Sequence, residues 1–90
     1  MDSAVRSSSA SALGKLAGRT AIPALIETII DRDYTVRWST IEALGMIGKA
    51  GDSQITAALM KTLSSDDNIG ARRSAAEALG KIGIQLVSLR

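Results

Sequence analysis

Apolar positions recur along this 90-residue chain with helical spacing. Val36, Thr40, Ala43, Leu44 and Ile47 stand at i, i+4, i+7, i+8 and i+11, one buried stripe on a helix. Ile22, Leu25, Ile26, Ile29 and Ile30 make a second stripe of the same kind. No stretch alternates apolar and polar residues for long enough to predict a strand. The punctuation fits helices too. Thr20 is placed to cap a helix carrying Pro23 in its first turn, where a missing amide hydrogen costs little. Asp33, and Asp52 or Ser53, are placed to open later helices, and Gly18 and Gly51 to stop them.

The pattern is used more than once. Segments beginning at Val5, Val36 and Ala71 align so that Arg, Ser, Ala, Leu and Gly fall in shared columns. Between them, Pro23 to Ile29 matches Ala57 to Leu63. Tandem self-similarity of this length predicts an all-α solenoid, a superhelix of about two and a half helical hairpins. Repeat 1 is expected at about 4–35, repeat 2 at about 36–70 and a half repeat at about 71–90, ending in a short tail or stunted helix. The first helix of each hairpin is termed A-type below and the second B-type.

Three phrases carry a family resemblance: Ile41-Glu42-Ala43-Leu44-Gly45-Met46-Ile47-Gly48, Ala21-Ile22-Pro23-Ala24-Leu25-Ile26 and Asp31-Arg32-Asp33-Tyr34-Thr35-Val36-Arg37. Together they resemble the short HEAT-like repeat named after phycobilisome lyases, over residues 4 to 83. The resemblance is specific for fold and weak for function. It implies any of several roles: subunits that attach or remove bilins, a metal-dependent hydroxylase, or plain scaffolds. The hydroxylase takes its ligands from His-Glu pairs, and this chain has no His.

Composition narrows the chemistry further. With no Cys there is no disulfide, thiol nucleophile or thiolate metal ligand, and with no His the commonest general base is missing. No catalytic residues, cofactor or metal are therefore expected, and the chain reads as a non-enzyme. Eleven Lys and Arg face nine Asp and Glu, a net charge of +2 with the signs interspersed, which reads as a solvated surface rather than a nucleic-acid tract. No apolar run approaches a membrane span. With no secretory signal visible either, the expected location is cytoplasmic.

Individual columns invite assignments. Arg6, Arg37 and Arg72 are expected to form a structural ladder, the latter two bridging the Asp-rich turns that precede them (Asp31 and Asp33; Asp66 and Asp67). Gly14, Gly45 and Gly80 lie within helices, where Gly costs about 1 kcal/mol relative to Ala, so close helix packing is expected at all three. Trp38 projects from the side of its helix opposite the stripe. With Ile41, Met46 and nearby Tyr34 it forms the candidate partner-binding patch, since Trp and Met are enriched in interface cores.

The stripe Ala75, Ala78, Leu79 and Ile82 lacks a following B-type helix, so the C-terminal end is expected to be open and apolar. A homodimer through that end is the expected closure, while the Ser-rich first helix has a thin apolar face. The leading functional expectation is a non-enzymatic protein–protein interaction or scaffold module. The alternative, from the resemblance, is a helper or partial subunit of a phycobilin lyase-like assembly. A third is weak nucleic-acid binding through Arg19, Arg37, Arg72, Arg73 and Lys49.

Overall fold

Among the described residues five α-helices form along the predicted stripes. In the computed structural model, which describes residues 2–83, they are α1 (Ser3–Leu16), α2 (Ile22–Thr28), α3 (Tyr34–Ile47), α4 (Ser53–Ser65) and α5 (Ile69–Lys81). The expected C-terminal tail, Ile84 to Arg90, lies outside the described residues. Asp2, Asp33 and Asn68 cap α1, α3 and α5, accepting from the amides of Val5, Thr35 and Ala71 at 2.8–3.0 Å. Each satisfies one of the amides that a helix start leaves without a partner. Gly18 stops α1 with φ of 58°, a left-handed conformation that costs glycine no Cβ clash.

Two cap expectations fail for identifiable reasons. Thr20 does not cap α2: residues Gly18–Ala21 form a 3-10 turn leading straight into it, and the Thr20 hydroxyl donates instead to the Ala17 carbonyl at 2.8 Å. Asp52 occupies the N-cap position of α4 without capping it, because its carboxylate is taken by the Lys49 amide and the Arg19 guanidinium. The 3-10 turn also leaves α2 only seven residues long. Ile30 therefore falls in the following turn, 78% exposed, while Leu25 and Ile29 are buried.

The A-type helices stack in file, α1 against α3 and α3 against α5, while α2 packs on α3 and α4 on α5. Each B-type helix thus seals the A-type helix that follows it. This corrects the expectation of an open stripe on the last helix: Ala75, Ala78, Leu79 and Ile82 are all buried, because α3 and α4 cover α5. Among the described helices α1 is the one whose stripe is least covered. Val5 and Leu13 on α1 are 46% and 38% exposed, whereas their counterparts Val36 and Leu44 are fully buried, and Leu16 is 88% exposed.

The helices approach closely because glycine stands at the contact. A Cβ built on Gly14 would lie 2.7 Å from the Ala43 Cβ, and one on Gly45 2.9 Å from the Ala78 Cβ and 3.1 Å from its Cα. Gly80 departs from the expectation for this column: among the described residues no atom lies within 4 Å of its would-be Cβ, and none of the described helices packs there.

The same substitution should therefore have opposite effects within one column. Gly14→Ala and Gly45→Ala push backbone against backbone and are expected to lower stability by about 1–3 kcal/mol. Gly80→Ala relieves only the helix-propensity cost and is expected to raise stability by up to about 1 kcal/mol. Urea denaturation of the three variants measures both signs.

Candidate functional site

The arginine column is built into the frame of the protein. Arg6 on α1 forks onto Asp31 through Nε and an Nη at 2.9 and 3.1 Å. Arg37 on α3 grips Asp66 in the same way at 2.8 and 3.0 Å and reaches Asp67 at 3.3 Å. Its remaining Nη donates to the carbonyls of Asp31 and Arg32 at 2.9 and 3.2 Å, and Arg72 donates likewise to the Asp66 carbonyl. The carbonyls thus come from the turn preceding each arginine, as expected, but the carboxylate comes from the turn one repeat further on. The guanidinium is long enough to span two turns, and its fork matches a carboxylate held rigid by its own turn. Asp31 and Asp66 are held in that way, each accepting the amide two residues on, Asp33 and Asn68, at 2.9 Å.

The carboxylates are tuned accordingly. Hydrogen bonding to Arg6, then to the Asp33 amide, lowers the pKa of Asp31. Burial penalises the charge of Asp66, but the Arg37 fork and the Asn68 amide outweigh it and the pKa is again lowered. Asp33 is lowered by the Thr35 hydroxyl and amide. The strongest effect is at Asp52, lowered to about 2 by the Arg19 fork and the Lys49 amide. Arg19 and Arg37, two of the cations named for nucleic-acid binding, thus already hold carboxylates.

The aromatic patch is rearranged. Ile41 does not belong to it: its side chain is fully buried in the core. The middle A-type helix is sandwiched between α1 and α5, so its buried arc is far wider than a single stripe and takes in Ile41. The remaining members, Tyr34, Trp38 and Met46, are 43%, 42% and 59% exposed. Trp38 and Met46 stand four residues either side of Glu42, also exposed, so a carboxylate separates them on the helix face. Trp38 occupies the column of Ser7, whose hydroxyl bonds Ser39 and the Thr35 carbonyl across the α1–α3 seam. By that register Trp38 stands beside the α3–α5 seam rather than on the back of the helix.

A better-formed apolar surface lies between the B-type helices. A groove of about 330 Å³ opens there, lined by Ile26, Ile29, Ile30 and Ala58 and by the polar Lys61, Thr62, Ser65 and Asp66. Sequence reading placed these isoleucines in a buried stripe. The early end of α2 at Thr28 is what leaves Ile30 outside that stripe. Among the described residues no three acidic groups converge on a point that could hold a metal ion, and no helix is long and apolar enough to cross a membrane.

Two outcomes follow from the carboxylates. Lowered carboxylate pKa values mean that their stabilising contribution is complete above the ordinary value of 3.8 and disappears as pH falls through the folded values, about 2 for Asp52. With no His in the chain, the thermal midpoint is expected to be flat over roughly pH 5 to 8 and to drop steeply below about pH 4. Asp66→Ala strands the half-buried Arg37 and should cost about 3 kcal/mol, whereas Asp67→Ala, at a side chain 95% exposed, should cost under about 0.5 kcal/mol; guanidinium titrations separate the two.

Comparison with known proteins gives a result confined to the first hairpin. Residues 5–31 match a family model described as PBS lyase HEAT-like repeat, a span that runs from the first turn of α1 to the Arg6-binding Asp31. No curated protein matches the chain. The matched span is narrower than the 4–83 over which the resemblance was drawn. Columns shared with α3, α4 and α5 nevertheless carry the same pattern along the chain. The first hairpin is thus similar to the PBS lyase HEAT-like repeat.

Proposed function

We propose that this protein is a non-enzymatic binding module whose HEAT-like repeats hold the groove between α2 and α4 open for an apolar segment of a protein partner. The supporting observation is the groove itself: three isoleucines and an alanine line it, and Ile30 is left largely in water by the early end of α2. A concave apolar wall with the Lys61 cation beside it fits a partner helix or extended segment that inserts two or three aliphatic side chains. The cationic candidates for an anionic partner fit less well, since the Arg6 and Arg37 forks are filled by Asp31 and Asp66. Trp38 stands as a separate candidate contact, exposed but cut off from Met46 by Glu42.

Selection from a displayed random-peptide library tests this reading. Apolar peptides are expected to enrich on the parent protein and to lose affinity by about tenfold or more, roughly 1.4 kcal/mol, on Ile30→Asp. Trp38→Ser should leave that affinity unchanged. Failure to enrich, or peptides lost on Trp38→Ser and indifferent to Ile30→Asp, would remove the groove from the mechanism.

A further inference from the structure

The groove between α2 and α4 has two unlike walls. The α2 side is aliphatic, formed by Ile26 and, just beyond the helix, Ile29 and the exposed Ile30. The α4 side is small and polar. Its residues Ala58, Lys61, Thr62 and Ser65 stand at i, i+3, i+4 and i+7, one helix face that runs for about 10 Å at 1.5 Å per residue. Two helical turns of wall have room for two or three side chains of a ligand.

The polar groups along this wall are not equally free. Thr62 donates its hydroxyl to the Ala58 carbonyl at 2.9 Å, and the Ser65 hydroxyl lies 3.3 Å from that of Ser64. Asp66 is fully engaged. One of its oxygens accepts from an Arg37 Nη and the Asn68 amide, the other from Arg37 Nε. Its side chain is 7% exposed, so a ligand meets almost none of that charge. Lys61 is the exception: it is exposed and makes no ion pair among the described residues. The one acid of α2, Glu27, lines a separate hollow with Arg6 and Asp31 and does not answer it. The charge that the groove presents is therefore a single positive one.

We infer that the segment bound in this groove is acidic as well as aliphatic, inserting two aliphatic side chains along Ile26 and Ile30 and setting a glutamate or aspartate against the Lys61 ammonium. The inference rests on the groove's being the binding site, as proposed above, and adds the sign of charge it selects. The long lysine stem can lie along the apolar wall while its ammonium turns to a carboxylate at the edge. A basic segment would meet a like charge with no accessible carboxylate to offset it, so Lys61 discriminates between partners more than it adds affinity.

Peptides of twelve residues, selected from a displayed library on the parent protein, supply the probes. Those that Ile30→Asp loses are synthesised with blocked termini, each acidic position being made as Glu, Gln and Lys, and titrated by fluorescence anisotropy. Acidic residues are expected to be enriched beside the aliphatic pair. Glu→Gln in the peptide should weaken binding to the parent by about three- to tenfold, an effect that salt suppresses. On Lys61→Met the Glu and Gln forms should bind alike, and on Lys61→Glu the Lys form should bind best; circular dichroism checks that both variants keep the parent's helicity. Peptides that need Ile30 but show no acidic bias, and bind Lys61→Glu as they bind the parent, would overturn the inference and leave the groove as the site. Acidic peptides that lose affinity on Lys61→Glu yet keep it on Ile30→Asp would also overturn it, since they bind by charge outside the groove. A parent that enriches no peptide would overturn the inference together with the groove.

Discussion

The near-contact between consecutive A-type helices sets the scale of the structure. An alanine seated against a glycine brings two backbones closer than any pair of larger side chains allows, as the 2.7 Å and 2.9 Å notional Cβ approaches at Gly14 and Gly45 show. Everything else is arranged around that spacing. The core between such helices has room only for Ala, Val, Leu and Ile, and the buried residues are those types with a few hydroxyls. Thr40 and Thr62 satisfy their buried hydroxyls on the carbonyls four residues back, at 2.8 and 2.9 Å, so neither requires a partner from a neighbouring helix.

The arginine ladder acts at the turns as the glycines act along the helices. Asp31 and Asp66 each hold their own turn by a backbone amide and the preceding repeat's arginine by a fork. The next arginine then draws in that turn's carbonyl. Local turn geometry and repeat-to-repeat spacing are therefore fixed by the same carboxylate. An ion pair with side chains only 13% and 7% exposed is a weak source of net stability, since its desolvation offsets most of its attraction. Its value here is geometric: it permits one spacing and penalises others.

Much of this was legible in the chain, and the failures share one physical origin. Helix positions, the Asp33 cap and the glycine packing at Gly14 and Gly45 follow from periodicity, because each depends on residues near in sequence or in the same column. Ile41 was misplaced because a helix wheel assumes one buried stripe, while a helix with neighbours on both sides buries a broad arc. The clue was that its column, Ala10, Ile41 and Ala76, is apolar in every repeat. The carboxylate partners of Arg6 and Arg37 lie 25 to 30 residues away, and only the stacking distance decides which turn supplies them. The groove beside Ile30 depends on where α2 stops, and the 3-10 turn that shortens α2 has no strong signature in the residues 18–21.

The ladder runs one way. Arg6 and Arg37 both fork forward along the chain, and Asp31 and Asp66 answer from the later turns, so the array has a polarity that its near-repeating helices alone would not confer. Removal of the leading helix would uncover a carboxylate, Asp31, which can take a proton. Removal of the trailing turn and helix would orphan Arg37, a cation that cannot shed its charge. Erosion from the front would thus uncover a carboxylate and erosion from the rear a guanidinium, so the two truncated arrays would differ in the sign of their newly bared charge.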